Sequence, residues 1–261
     1  MKSKLFFSYS WCIDDSEKEV TSIRVYGLDQ NNKNICLRID NFTPYVYIEL
    51  PEHIKWTSSK AQLVGDKIDK ILGDKKPLKK ILMMKKRLYG AYIDVETKNR
   101  KIFPYLFCSF SNINDVKNLT YRIRNNIHVV GLGSLKFKIH ESDADPILQL
   151  TCCRDIPTAG WFKFHGNEIE NEDEKITLCD EEYKVKWKHL FPHENDTLPK
   201  PKIMGFDIEV NSTNPSAMPK AEKPGDKVFQ ISCVIAREGD SEEDYEKYLL
   251  TLGQPDPDIV G

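Results

Sequence analysis

Residues 203–210 have the sequence IMGFDIEV, an apolar run that is interrupted only by two carboxylates. An apolar run of this length predicts a buried β-strand. Side chains alternate across a strand, so we expect Asp207 and Glu209 to project from the same face, close enough to bind one cation together. Two neighbouring negative charges on a buried strand are unfavourable unless a positive charge lies between them. A hard divalent ion such as Mg²⁺ meets that need.

The Asp-x-Glu spacing alone is not selective. It occurs six times, starting at Asp15, Asp94, Asp180, Asp207, Asp240 and Asp244. Four of these pairs lie in polar sequence and are expected at the surface, while the pair at Asp94 ends a short apolar stretch and enters a basic turn. Asp207, in contrast, lies within a longer apolar run, with hydrophobic residues on both sides. The residues by themselves leave two readings open, a metal site and a plain pair of carboxylates at a strand end.

Two further strands are predicted after this pair. A loop of about seventeen residues, rich in Asn, Ser, Pro and Lys, follows Glu209 and leads to the apolar segment 228–235. Residues 245–252 are a third candidate strand. Three successive strands with carboxylates on the first are typical of the beginning of a ribonuclease-H-like nuclease sheet.

The N-terminal part of the chain has the pattern of a small α+β domain. Its first strands are predicted at residues 5–11, 20–28, 34–39 and 45–50. A helix is predicted at 58–72, capped by Ser58 or Ser59 and ended by Gly73, and a second at 114–125. With further strands at 81–93, 104–109 and 135–139, residues from about 45 to 140 follow the order of the split β-α-β unit, which ferredoxin-like and RNA-recognition folds share.

The remaining sequence predicts where the domains meet. A short helix is expected at 143–153 and an aromatic strand within 156–164. The acidic segment 165–182 is expected to be a solvated loop or hairpin, because like charges at this density cannot share a core. Prolines bound the polar segment 193–201, so we predict an N-terminal domain at residues 1–195 and a second, incomplete domain at 196–261.

Composition limits the classes of protein. The chain has 38 Lys and Arg residues against 40 Asp and Glu, so its net charge of -2 gives no overall attraction to nucleic acid or membranes. Seven cysteines without a C-x-x-C pair indicate a reducing, intracellular setting. No apolar run is long enough for a signal peptide or a membrane span, so neither secretion nor membrane insertion is expected.

Two local features allow a nucleic-acid-binding function. Residues 67–87 carry nine basic and two acidic side chains, which would attract a phosphate backbone or form a solvated helix face and edge strand. Phe103, Tyr105, Phe107 and Phe110 stand near strand spacing, where aromatic rings stack on bases in RNA-recognition sheets or pack in a core. For both features we favour the structural interpretation.

Several segments together resemble the family-B DNA polymerases. The sequence FDIE at 206–209, a Pro-containing loop and VFQIS at 228–232 are similar to the first exonuclease motif of that family and the strand after it. TPYVY at 43–47 resembles an early strand of the delta-type branch. Residues 141–150 with 155–164 resemble the segment before the nuclease domain. The Asn-rich and Lys-rich sequence is of a kind found in large DNA viruses.

The resemblance implies a replicative DNA-directed DNA polymerase with a 3′–5′ proofreading exonuclease. Asp207 would then bridge two Mg²⁺ ions, and Glu209 would ligate the ion that carries the attacking water. The implied partners are a DNA primer–template, single-stranded DNA and a sliding clamp bound through regions outside this chain. The implied location is a site of viral or nuclear DNA replication.

The family's other exonuclease ligands belong to two later motifs that this sequence does not contain. We therefore expect a fragment that is inactive by itself. Two alternatives remain at this point, namely a module that binds single-stranded nucleic acid or a protein partner, and a stand-alone ribonuclease-H-like exonuclease.

Overall fold

The computed structural model describes residues 1–14, 20–86, 98 and 101–253. The chain divides into two compact units, Met1–Asp196 and Thr197–Gly261. Asp15, Asp94 and the predicted strand residues 87–93 lie outside the described residues. No helix in the described part of the chain is long and apolar enough to cross a membrane.

The first unit is built mainly from strands. Its elements are, in chain order, β1 (Lys2–Asp14), β2 (Ser22–Leu28), β3 (Asn34–Ile39), β4 (Tyr45–Glu49), α1 (Ser58–Leu72), β5 (Lys79–Lys86), β6 (Ile102–Ser109), α2 (Ile113–Arg122), β7 (Ile127–Val129), β8 (Gly133–Leu135), β9 (Lys138–His140), α3 (Pro146–Arg154), β10 (Gly160–Glu168) and β11 (Glu181–Pro192).

Five of these strands close into a barrel in the order β1-β10-β11-β3-β2. All pairs are antiparallel except β3 with β11, which run parallel. This is the Greek-key order of the OB-fold. Alternate residues of each strand point inward, so the core contains Phe6, Ile23, Leu37, Phe162 and Tyr183, all without solvent exposure.

A ferredoxin-like module is inserted between β3 and α3, which confirms the predicted fold class. Strands β4, β5, β6 and β9 form a sheet in the order β5-β6-β4-β9 with antiparallel pairing throughout. Helices α1 and α2 cover one face, where Val46, Val64, Leu106 and Leu119 are buried together. The predicted strand at 135–139 is divided, because Leu135 ends the β7–β8 hairpin and β9 begins at Lys138.

Local sequence signals explain the ends of α1. The side chain of Thr57 accepts a hydrogen bond from the Lys60 backbone N–H at 3.3 Å, so Thr57 is the N-cap rather than Ser58 or Ser59. At the other end Gly73 adopts φ 61°, which a residue with a side chain rarely adopts.

The acidic segment forms the β10–β11 hairpin and its loop, but one carboxylate departs from the predicted solvated state. Glu182 on β11 is fully buried. Its Oε1 accepts hydrogen bonds from the backbone N–H groups of Ile176 and Thr177 and from the Thr177 hydroxyl, at 3.0, 2.6 and 2.5 Å. The carboxylate can be buried because these three hydrogen-bond donors replace the water molecules that Oε1 loses.

The second unit contains a three-stranded antiparallel sheet of β12 (Lys202–Val210), β13 (Val228–Arg237) and β14 (Glu246–Thr251). The three predicted strands are therefore present. The predicted burial of β12 is wrong for the described residues, since Phe206 is 65% exposed and Ile208 47%. The reason is that residues 197–253 include no α-helix that could cover either face of the sheet.

Candidate metal centre on the second unit

The two carboxylates lie on one face of the three-stranded sheet. Asp207 pairs with Ser232 of β13, and Glu209 pairs with Gln230. Residues two apart on a strand point the same way, so all four side chains belong to the same face. The shared face expected for Asp207 and Glu209 is present in the structure.

Polar residues concentrate at one end of this face. Gln230 pairs in turn with Thr251 of β14, so Glu209, Gln230 and Thr251 form a row across the three strands. The opposite face of the sheet is mainly apolar around the same positions, with Phe206, Ile208, Ile231, Cys233, Tyr248 and Leu250. The carboxylates therefore have polar neighbours on their own face and hydrophobic residues behind them.

A β-bulge follows Glu209 directly. The register passes from Glu209 opposite Gln230 to Val210 opposite Val228, which leaves Phe229 as an extra residue on β13. The Phe229 carbonyl accepts a hydrogen bond from the backbone N–H of Leu252 at 2.8 Å. Bulges end a regular ladder and change the direction of nearby side chains, and they are frequent beside active sites. No feature of the sequence had predicted this bulge.

The oxygens of the pair are available to a cation. One oxygen of Asp207 accepts the backbone N–H of Ile208 at 2.9 Å. Within residues 197–253 neither carboxylate forms an ion pair, and no other side chain donates a hydrogen bond to either. Carboxylate oxygens are ligands that Mg²⁺ prefers, and Mg²⁺ commonly uses only one or two of them together with water and substrate phosphates. The donor set thus fits a divalent ion.

The sequence argument that two buried negative charges require a bound cation does not apply to this structure. Asp207 and Glu209 are both exposed, so water screens their repulsion without a bound cation. Among the described residues, no group of three or more His, Cys, Asp and Glu side chains is placed to hold a metal. What the structure supplies is a pair of free oxygen ligands on one face.

The loop after β12 is organised by a third carboxylate, which sequence analysis missed. Asp226 accepts hydrogen bonds from the Thr213 hydroxyl at 2.6 Å and from the backbone N–H groups of Thr213 and Lys220 at 2.8 and 2.9 Å. The Thr213 hydroxyl, followed by the two backbone donors, lowers the pKa of Asp226 to about 2. Asp226 therefore holds the beginning and the middle of the loop 211–227 to its end.

Some of the residues that suggested nucleic-acid binding in the first unit have structural contacts. Phe103 and Tyr105 are 1% and 0% exposed, which confirms the packing interpretation. In the basic segment, Lys80 is partly buried and pairs with Asp69. On the outer face of β2, Arg24 is buried and held by Asp14 and Asp40.

Comparison with known proteins shows what this chain is similar to. Residues 137–259 match the family described as DNA polymerase family B, exonuclease domain. DNA polymerase 120R of Invertebrate iridescent virus 3 is 39% identical over 98% of this chain and 24% of its own length. DNA polymerase 037L of Invertebrate iridescent virus 6 is also 39% identical, over 97% of this chain and 21% of its own length. The chain thus spans less than a quarter of the length of these relatives.

A solved structure shows the same fold. The family B DNA polymerase from the hyperthermophilic archaeon Pyrobaculum calidifontis matches 95% of this chain and 27% of its own, with a TM-score of 0.64 and 15% identity. An identity this low is evidence for the fold alone. Taken together, these findings identify residues 137–259 as a family-B DNA polymerase exonuclease segment, in a chain that is similar over nearly its whole length to viral DNA polymerases.

Proposed function

We propose that the chain is part of a replicative DNA-directed DNA polymerase with a 3′–5′ proofreading exonuclease. In this proposal Asp207 and Glu209 are ligands of a pair of Mg²⁺ ions. The observation that carries it is the placement of two free carboxylates on one face of β12, within the segment that matches the exonuclease family. The other ligands of such a site would come from outside the described residues.

Each residue of the site has a distinct part. Bound divalent ions supply activation of water and stabilise the charge that develops during in-line attack on a terminal phosphodiester. Asp207 would hold both ions and Glu209 one of them. The hydrogen bond from the Ile208 backbone fixes one Asp207 oxygen, and the other oxygen accepts no hydrogen bond within the described residues. The polar end of the face leaves room for phosphate and water, while the apolar face behind it suits packing against protein.

The proposed partners follow from this chemistry. A proofreading polymerase acts on a DNA primer–template and on the single strand that enters the exonuclease site. A sliding clamp would bind through regions outside this chain. The proposed place of action is the intracellular site where viral or nuclear DNA is replicated.

A chimeric enzyme tests the proposal. The corresponding region of the iridescent virus 6 polymerase is replaced by this chain, and both degradation and extension of a 5′-labelled primer are measured. Asp207→Ala and Glu209→Ala should each reduce degradation by more than about 100-fold, because loss of outer-shell partners alone costs about 10- to 100-fold at metal sites. Primer extension should be unchanged, which shows that the chimera is folded.

The control variant is Glu238→Ala, which removes a carboxylate at the end of β13 that has no ion-pair partner among the described residues. It should leave primer degradation unchanged. A chimera that extends primers but degrades them equally well with and without Asp207 and Glu209 would contradict the assigned roles. A chimera that extends primers and never degrades them would contradict the exonuclease itself.

A further inference from the structure

Charge changes sign between the two parts of the β10–β11 hairpin. Residues 168–182 carry eight acidic side chains and one lysine, whereas residues 183–193 carry three lysines, two histidines and no acidic side chain. The three lysines are Lys184, Lys186 and Lys188. They lie two apart on β11 and are all exposed, while Val185 is buried and Trp187 packs against the barrel core. One side of β11 therefore presents a row of positive charges to solvent.

Two of these lysines belong to a wide bulge in the strand. Where the register of the hairpin shifts, His165 of β10 alone stands opposite four residues of β11, 186–189. We call residues 186–189 the β11 bulge. Bulges interrupt the ladder and re-aim side chains, and they are frequent beside functional sites. Lys186 and Lys188 are thus displayed on a segment that the ladder does not cover.

The β11 bulge is nevertheless held in place. In its middle, the Trp187 ring packs against Phe42 with ring centroids 5.7 Å apart, and the Trp187 backbone N–H donates to Asn41 Oδ1 at 3.2 Å. Directly after it, Arg154 of α3 donates two hydrogen bonds, of 2.8 and 2.6 Å, to the carbonyl oxygen of Leu190. Because the backbone is fixed, less conformational freedom is lost when the lysines bind a ligand.

Partly exposed aromatic rings lie beside these positive charges. The rings of His165 and Phe191 are in contact, with centroids 5.0 Å apart. The guanidinium of Arg154 lies 5.5 Å from the centroid of Phe191, and the ammonium of Lys188 lies 5.5 Å from that of Trp187. The same surface thus combines cations with rings on which planar groups can stack.

Most of these charges have no counter-charge in the part of the chain that the structure describes. Lys163 of β10 pairs with Phe191 in the ladder and is exposed. Neither Lys163, Lys186 nor Lys188 forms an ion pair with a described residue. Lys184 forms one with Glu174 at 3.6 Å, but both side chains are exposed, and such pairs contribute less than about 1 kcal/mol. The surface therefore attracts an anionic partner.

This surface differs from the one that OB-folds commonly use for oligonucleotides, which is the face of the second and third strands with the adjoining loops. In this barrel that face is engaged within the protein. Arg24 is 4% exposed and pairs with Asp14 and Asp40. Arg38 donates to the carbonyl of Glu174 at 3.1 Å, in the acidic loop of the hairpin, which would repel a phosphate backbone. The distal part of β11 is better suited to a polyanion.

We propose that the β11 bulge, together with Lys163 and Phe191, is a binding surface for single-stranded nucleic acid. Lysines two apart on a strand are separated by about 6.6 Å, so each can contact a different phosphate. Unpaired bases can stack on the partly exposed rings, whereas a duplex keeps its bases inside the helix. All of these residues belong to the first unit, so the surface does not depend on the proposed metal pair.

Fluorescence anisotropy of a labelled oligothymidylate of about twelve nucleotides, titrated with the 261-residue chain in EDTA, tests the proposal. The affinity is measured at several salt concentrations, because each phosphate contact to a single strand contributes about 0.7 to the slope of log affinity against log salt. Lys186→Ala with Lys188→Ala should weaken binding and reduce that slope by about 1.4. Phe191→Leu keeps an apolar side chain but removes the ring, so it should weaken binding about 5- to 150-fold without changing the slope.

The matched control removes two exposed lysines from the other basic part of the first unit. Lys75→Ala with Lys76→Ala should leave both the affinity and the slope near those of the wild type. Urea midpoints check that each variant is folded. If the control variant loses binding while Lys186→Ala with Lys188→Ala retains it, the nucleic acid binds the segment 67–87 and the proposed surface is wrong.

Two competitors test the class of partner. A duplex of the same length and a polyglutamate of equal charge should each displace the labelled strand less effectively than unlabelled oligothymidylate. Equal displacement by the duplex, with no effect of Phe191→Leu, would refute stacking of unpaired bases, and equal displacement by polyglutamate would favour an acidic protein instead. A wild-type chain that does not bind at low salt would overturn the proposal, while leaving the primer-degradation test of the metal pair unaffected.

Discussion

Replacing the buried Glu182 by alanine should strongly destabilise the first unit. The substitution removes the acceptor of two backbone N–H groups and of the Thr177 hydroxyl. It also leaves Arg38, whose guanidinium lies 3.9 Å from the other carboxylate oxygen, without its buried counter-charge. Removing one partner of a buried ion pair costs about 3–5 kcal/mol. The Arg38 side chain is 15% exposed and also donates a hydrogen bond to the Glu174 carbonyl, so its charge stays partly solvated and we expect the lower end of this range, about 3 kcal/mol.

Urea denaturation followed by tryptophan fluorescence measures this loss selectively. All four tryptophans, Trp11, Trp56, Trp161 and Trp187, lie in the first unit, so the second unit does not contribute to the signal. With a denaturant dependence of about 1–3 kcal/mol per molar urea, the midpoint should fall by about 1–3 M.

Two related variants test whether the loss of stability comes from the buried carboxylate. Glu182→Gln keeps an acceptor oxygen but loses the charge, so it should cost less than Glu182→Ala. Glu174→Gln removes an exposed carboxylate of the same loop, 3.6 Å from Lys184, and should change the free energy of unfolding by less than about 0.5 kcal/mol. A Glu182→Ala chain that unfolds at the wild-type urea concentration would refute the assigned role of the buried carboxylate.

Three further predictions follow from single residues. Burial raises the pKa of Glu181, but hydrogen bonds from Lys4, Tyr183 and Lys33 outweigh it and lower that pKa from 4.5 to about 2. The stabilisation that ionised Glu181 provides should therefore be complete above pH 4.5 and disappear as the pH falls through 2. The urea midpoints of the wild type and of Glu181→Gln should converge between pH 4.5 and pH 2. A difference between the two midpoints that stays constant with pH would contradict this role of Glu181. Asp226→Asn should speed tryptic cleavage in the loop 211–227, because the substitution removes the carboxylate that accepts three hydrogen bonds within the loop. An unchanged rate of cleavage would argue against that role of Asp226. Gly27→Ala should destabilise the barrel by about 1–3 kcal/mol in the same urea assay, because the added Cβ would lie 2.1 Å from the Phe7 carbonyl oxygen. An unchanged urea midpoint would show that β1 can move away from this position at little cost in free energy.

Much of the first unit could be predicted because its signals are local. The helix α1 follows from apolar residues at helical spacing and a glycine stop, both of which act within a few residues. The order of elements in the inserted module was enough to predict its ferredoxin-like sheet, since few arrangements allow two such helices to cover one face of four strands. The barrel was not predicted, because β3 and β11 pair in parallel across 146 positions of sequence and no local pattern encodes that contact.

The sequence by itself determined that Asp207 and Glu209 share one face of β12, because the alternation of side chains is a property of any strand. Only the tertiary structure decided which residues stand opposite them and whether the face is covered. Ser232, Gln230 and the bulge at Phe229 depend on the register between two strands, which the pairing of whole strands sets. The solvent exposure of the pair likewise depends on which elements pack against the sheet. An apolar sequence indicates that a strand can be buried, but the helix or sheet that covers it comes from elsewhere in the chain.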